Sequence, residues 1–315
     1  MKNTQALFNQ LRILATEQIN AKTKSIDTLG TMEIIGLINR EDTRVAGAVR
    51  KELPSIAQAI ELVVNALNKG GRLIYVGAGT SGRLGILDAS ECPPTYGTDP
   101  RMVQGIIAGG KQAVFRSREG VEDKAGKGAE EIRRLRISAK DVVCGIAASF
   151  RTSFVAGAIQ EAKRLGAKTI FITTNPRSIV ELSGFSEIRS AINVAICPKV
   201  GPEVIMGSTR MKAGTAQKMI LNMITTTAMI KLGKVYGNLM VDLRMNSRKL
   251  QERAKRIVML STGADYSTAS KVLQKAGGNV KTAIVMLQAG VDADEARRRL
   301  KSADGFVRQA LKKGR

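Results

Sequence analysis

Histidine is absent from this 315-residue chain. No imidazole can serve as general acid, general base or metal ligand, so proton transfer falls to Glu, Asp, Lys, Tyr or Cys. Cysteine is scarce: Cys92, Cys144 and Cys197 stand far apart and odd in number. They show neither metal-ligand spacing nor a disulfide framework. That argues against a metal site, fits a reducing cytoplasm and makes each thiol a small buried hydrophobe. Aromatic residues are only 3% of the chain, so platforms for stacking nucleobases are few. No apolar run approaches the roughly 20 residues that span a bilayer. The opening MKNTQALFNQLRILATEQIN mixes polar residues through its apolar ones, so it reads as carrying no signal peptide.

Positive charge is what the chain has in excess. Fifty Lys and Arg stand against 27 Asp and Glu, a formal charge of +23. Such a balance attracts anions. The basic residues are spread out, with only short clusters such as IRRLR near Arg133 and ARRRLK near Arg298, and no nucleic-acid motif accompanies them. The pattern reads as solvated basic faces and an anionic small molecule, with neither nucleic acid nor membrane as partner. The length suits one large or two modest domains.

Residues 4–20 and 28–70 read as helical, the second stretch carrying apolar positions at three- and four-residue spacing up to Gly70-Gly71. Short apolar runs at 72–76, from Met102, from Asp141, from Lys168 and from Ile192 read as strands. Helical patterns lie between them at 81–89, 123–135 and 154–167, with another at 209–232. This alternation predicts an α/β fold, a parallel sheet covered by helices on both faces, with ligands at the carboxyl ends of its strands. From Asn246 onward the pattern is short helices. Breaks at Gly277-Gly278 and Gly290 give three pieces, shaped like a small ubiquitin-associated module.

Three stretches place glycines or hydroxyls between strand and helix. GAGTSGR (77–83) supplies close backbone approach, the hydroxyls of Thr80 and Ser81, and the free amides of a helix start, a good anion cradle. Its Gly77, Gly79 and Gly82 also fit the dinucleotide fingerprint, but no acidic residue follows a second strand at the spacing expected for a ribose hydroxyl. IAASFRTSF (146–154) gathers Ser149, Thr152 and Ser153 around Arg151. GSTRMKAGTAQK (207–218) offers Ser208 and Thr209 as caps for the helix behind them, with Arg210 and Lys212 at its start. A cationic first turn makes sense where an anion docks, because the helix dipole alone favours acids there.

LIYVGAGTSGRLGILDASECPPTYG, EGVED at Glu119, the IAAS and RT around Ser149, GSTRMKAGTAQKMILNM and GKVYGNLMVDL together closely resemble the bacterial N-acetylmuramic acid 6-phosphate etherases. The resemblance runs from TLGTMEIIGLINRED to GFVRQAL, nearly the whole chain. It implies a sugar isomerase (SIS) domain over residues 1–245, a small helical domain over 246–315, a homodimer and no cofactor. The implied reaction removes D-lactate from N-acetylmuramate 6-phosphate. The C1 aldehyde of the opened sugar acidifies C2, a base takes the C2 proton, an acid protonates the departing C3 ether oxygen, and water then adds. In a chain without histidine, two carboxyl groups are the natural pair. The resemblance assigns Glu91 as proton donor and Glu122 as base, and it places the phosphate among Thr80, Ser81, Ser149, Thr152, Ser208 and Thr209, with Lys212 as an added or steering charge. Without it, Glu119, Glu203 and Asp88 are equally open candidates.

The chain departs from the family at one turn. Where the family reads AASGRTPY, this chain has Phe150 for the glycine and Ser153 for the proline. If that turn needs positive φ, Phe150 is strained by about 1–3 kcal/mol, and its ring would be able to crowd the sugar. Residues 178–190 also look longer than the family's connection. Two other functions remain open: a non-catalytic phosphosugar sensor resembling the glucokinase regulatory protein, and an aldose–ketose phosphosugar isomerase.

Overall fold

The computed structural model describes residues 12–180, 186–245 and 247–312. The chain forms two compact units: residues up to Ala89 with Arg101–Ile224, and Ser90–Pro100 with the chain from Thr225. The boundary expected at 245 therefore falls inside the second unit.

Among the described residues of the first unit, single 3-10 turns come early, at Ala15–Glu17, Ala21–Thr23 and Ile26–Thr28. The expected helix over 4–20 is thus absent from residue 13 on, and residues 4–11 lie outside the described residues. The stretch 28–70 is two helices, α1 (Thr31–Arg50) and α2 (Leu53–Asn68). Pro54 explains the break, since it sits in the first turn of α2, where its missing N–H costs nothing, and cannot continue α1.

The sheet follows. In chain order come β1 (Leu73–Gly77), α3 (Gly79–Tyr96), β2 (Val103–Ile107), α4 (Gln112–Phe115), α5 (Ala125–Arg134), β3 (Val142–Ile146), α6 (Ser153–Arg164), β4 (Lys168–Ile172), α7 (Arg177–Val180), α8 (Ser186–Ala191), β5 (Val194–Ile196) and α9 (Lys212–Lys231). The strands are all parallel, in the order β2-β1-β3-β4-β5. LIYVG and VVCGI are buried at every position, which an apolar run without alternation demands of a strand covered on both faces. Ile74, Val76 and Val143 pack with Phe154, Val155, Ala158 and Ile159 of α6. On the other face Tyr75 donates its hydroxyl to Asp88 of α3 at 3.0 Å. The α/β class read from the sequence is the fold of the chain.

The strand order also positions the site. From β1 the chain moves outward to β2 and then crosses back to β3. The connections leaving the neighbours β1 and β3 therefore diverge, opening a crevice at their carboxyl ends.

In the second unit, α3 continues past its expected end at 89 through Pro93 and Pro94 in its last turns. Gly97, at φ +63°, closes it by donating its N–H to the Pro93 carbonyl at 3.0 Å. Five helices follow: α10 (Arg248–Thr262), α11 (Tyr266–Lys275), α12 (Val280–Ala289), α13 (Ala293–Ser302) and α14 (Val307–Lys312). The side chains of Ser247, Asp265, Asn279 and Asp292 cap α10 to α13. The three pieces expected between 266 and 302 are α11, α12 and α13. Val258, Leu273, Ile284 and Leu300 share their core. All three cysteines are buried. No helix among the described residues is long and apolar enough to cross a membrane.

Candidate active site

A cavity of about 720 Å³ lies at the β1/β3 crevice, lined by four loops and by Glu17. The first loop joins β1 to α3. It has no room for a side chain at Gly77, where a Cβ would stand 2.5 Å from the Gly82 nitrogen. That closeness brings Thr80 and Ser81, in the first turn of α3, to the cavity wall. Ser81 is buried and donates its hydroxyl to Gln217 of α9 at 2.9 Å.

The second loop joins β3 to α6 and presents Ser149 and Thr152. It is held by one carbonyl. The oxygen of Ala148 accepts from the Thr173 hydroxyl (2.8 Å), Asn175 Nδ2 (2.9 Å) and the Thr174 amide (3.2 Å). Phe150 then turns the chain at φ +64°, in the left-handed region. Its ring points away from the cavity into the core, 2% exposed and edge-on to Phe171 at 4.7 Å between centroids. The expected strain is there and the expected crowding is not. Thr152 lines the cavity and stands at the N-cap of α6, where its hydroxyl makes no capping bond.

The third loop precedes α9 and contributes Gly207, Ser208, Thr209 and Arg210. Ser208 and Thr209 do not cap that helix. Glu203 does so instead, accepting from the amides of Lys212 (3.0 Å) and Ala213 (2.9 Å). Burial raises the pKa of Glu203, partly countered by those two amides. The fourth loop runs from β2 towards α5 with Arg118, Glu119 and Glu122 on the wall. Glu122 is fixed through its backbone, its carbonyl accepting from the Phe154 amide at 2.8 Å. Arg83 also lines the cavity, with its Nε on the Val114 carbonyl at 2.8 Å. Hydroxyls and helix-start amides thus face guanidinium groups and carboxylates across one space, which suits a phosphorylated polar ligand and proton transfer on it.

Over 285 residues, 90% of this chain and 89% of the relative, the sequence is 57% identical to the N-acetylmuramic acid 6-phosphate etherase of Salinibacter ruber. The chain belongs to the N-acetylmuramic acid 6-phosphate etherase family. The etherase of Symbiobacterium thermophilum is 55% identical over 87% of this chain and 89% of its own. Residues 55–163 match the family model of the glucokinase regulatory protein N-terminal SIS domain. A solved structure from Bacteroides fragilis, described as a putative phosphosugar isomerase involved in capsule formation, covers 71% of this chain and 97% of its own. It does so at 19% identity and a TM-score of 0.47, a distance at which it speaks to neither substrate nor reaction.

In this etherase-family chain, Thr80, Ser81, Ser149, Thr152, Ser208, Thr209 and Glu122 come together on one cavity. Lys212 does not join them. It is 1% exposed and its Nζ lies 2.6 Å from Oε2 of Glu41, so its charge is neither a phosphate ligand in that cavity nor a solvent-side steering charge. Burial pushes the Glu41 pKa up, but the bond and charge of Lys212, with help from Asn20 and Arg44, outweigh it and leave the carboxyl below its ordinary value. Glu91 is exposed on α3, belongs to the second unit and is not among the residues lining the cavity. Asp88 is tied to Tyr75 and lies 3.5 Å from Lys218. Two wall residues carry little or no signal in the sequence: Arg118, marked only by adjacency to EGVED, and Glu17, which reaches the wall from a segment with no motif at all.

Proposed function

We propose that the chain cleaves the ether joining D-lactate to C3 of N-acetylmuramate 6-phosphate, leaving N-acetylglucosamine 6-phosphate. The observation that carries this is Glu122 on the same cavity as the hydroxyl-bearing loops. The phosphate docks on the hydroxyls of Thr80, Ser149, Thr152, Ser208 and Thr209 and on the amides at the start of α3, that of Ser81 among them because its hydroxyl is committed to Gln217. The opened sugar extends towards Glu122, which takes the C2 proton. The C–H pair forms the C2=C3 double bond, and the C3–O bond breaks with a proton delivered to the leaving lactate oxygen. Water then adds, hydroxyl to C3 and proton to C2. The reaction as written uses no cofactor.

Glu91 is the proposed donor to the ether oxygen. Because it is exposed and off the wall of its own chain's cavity, the proposal assigns it to the cavity of a second copy in a homodimer. Incubation with N-acetylmuramate 6-phosphate and a coupled D-lactate assay test the reaction. Release is expected, and Glu122→Gln is expected to slow it by at least about a hundredfold, the usual worth of a general base. Calorimetry should still register binding of N-acetylglucosamine 6-phosphate to that variant. No lactate from the unmodified chain, or unchanged release from Glu122→Gln, overturns the proposal.

A further inference from the structure

The elimination needs the open-chain aldehyde, so any residue assigned to forming that aldehyde rests on the etherase reading. Hexosamines are closed pyranoses in water. Opening one breaks the C1–O5 bond, so a proton must reach O5 while another leaves the C1 hydroxyl. With no histidine in the chain, no imidazole can do this. Glu122 is assigned to C2. O5 lies elsewhere on the ring, on C5, the neighbour of the carbon that bears the phosphate. A group that serves O5 must therefore stand near the loops that hold the phosphate.

We infer that Glu17 opens the sugar ring by protonating O5. Glu17 lines the cavity beside the third loop, its Oε2 4.0 Å from where a Cβ on Gly207 would be. It is brought there by an anchored segment. Leu14 is wholly buried and Thr16 is 3% exposed. The Ala15 amide donates to Asn175 Oδ1 at 2.8 Å, and the Gly207 amide donates to the Thr16 carbonyl at 3.2 Å. The same Asn175 holds the Ala148 carbonyl, so one side chain sets both the second loop and the backbone that carries Glu17. Glu17 Oε1 accepts from the Thr16 hydroxyl at 3.2 Å, which orients the side chain on the cavity wall, and a carboxyl group there has the chemistry to pass a proton to a ring oxygen. In the step, the C1–O5 pair passes to O5, which takes the proton of the Glu17 carboxyl. The O1–H pair becomes the second bond of the aldehyde, and the O1 proton goes to water, from which Glu17 is reprotonated.

The test reads ring opening apart from ether cleavage. N-acetylglucosamine 6-phosphate carries no lactyl group but interconverts its α and β anomers through the open chain. Exchange NMR on this sugar should show faster interconversion with the unmodified protein and no acceleration with Glu17→Gln, which keeps the side chain's size and polarity. Lactate release by Glu17→Gln should fall by about a hundredfold or more, and Glu17→Asp should keep part of both activities. If the unmodified protein does not speed anomer exchange, or Glu17→Gln speeds it equally, the inference is wrong. It is equally wrong if Glu17→Asp and Glu17→Gln lose sugar binding and exchange alike, which marks a structural role. Failure of lactate release in the unmodified protein sinks the proposed reaction instead, and leaves the exchange result standing by itself.

Discussion

Replacing Phe150 by alanine and by glycine separates what its ring contributes from what its backbone costs. The ring is 2% exposed and packed on Phe171, so removing it should cost about 3–5 kcal/mol in Phe150→Ala. The backbone works in the opposite direction. At φ +64° a residue with a Cβ carries about 1–2 kcal/mol of strain that glycine does not. Glycine in turn loses about 0.4–1 kcal/mol through the freer unfolded chain. The lone methyl left in the ring's space changes this balance little. Phe150→Gly should therefore be more stable than Phe150→Ala by about 0.5–1 kcal/mol, whereas at an ordinary strand or helix position glycine would be worse by a similar amount. Urea unfolding followed by circular dichroism, with the slope unchanged between variants, reads the difference. The sign is the test: an alanine variant as stable as the glycine variant, or more so, refutes the strain at this turn.

Mixing Glu91→Ala with Glu122→Ala, each inactive alone, should restore lactate release to about one quarter of the unmodified rate if each site takes one carboxylate from each copy of a two-fold dimer, and to none if both come from one chain. Lys212→Met should destabilise the chain by about 1–3 kcal/mol, because it removes the buried charge partner of Glu41 and leaves that carboxylate only Asn20 and the exposed Arg44. Adding Glu41→Gln should recover part of that loss. A phosphate-binding Lys212 would instead raise KM and spare the melting temperature. Since Glu41 is held below its ordinary pKa, its ionised form stabilises the fold above the unfolded value of about 4.3 and that stability fades as pH falls through the depressed value. In Lys212→Met this acid-side loss should shrink, as acid titration of the unfolding midpoint would reveal. Asn175→Ala removes the acceptor of the part-buried Ala15 amide and a buried donor to the Ala148 carbonyl, and should cost about 1–3 kcal/mol while raising KM for the phosphosugar.

The parts legible in the sequence are those whose cause is local. LIYVG and VVCGI read as doubly covered strands because an unbroken apolar run has one stable place in a sheet. Glycine and hydroxyl loops read as anion cradles because their chemistry is in the residues themselves. The caps expected at 208–209 are not the real ones, since the group that satisfies α9 is Glu203, and at that range only folding tells which acid reaches the free amides. Lys212 misleads for the same reason: a lysine in a helix's first turn looks solvated until its partner, 171 positions earlier, is known. Pro93 and Pro94 suggest an early end to α3, yet the helix runs on to Tyr96, and the Gly97 amide then donates to the Pro93 carbonyl. Glu17 is invisible in the sequence because nothing about a glutamate in ATEQIN announces that residues 175 and 207 will hold it.

The ties of that early segment also bear on how the protein is made. Ala15 finds its acceptor 160 residues later and Thr23 finds its own 181 residues later. On a ribosome, this segment emerges well before residues 175 and 204 exist for it to bind, and closures of such span are slow. The wall that Glu17 joins therefore cannot form on a nascent fragment that stops short of residue 207, and its carboxylate is set in place only after that loop has left the exit tunnel.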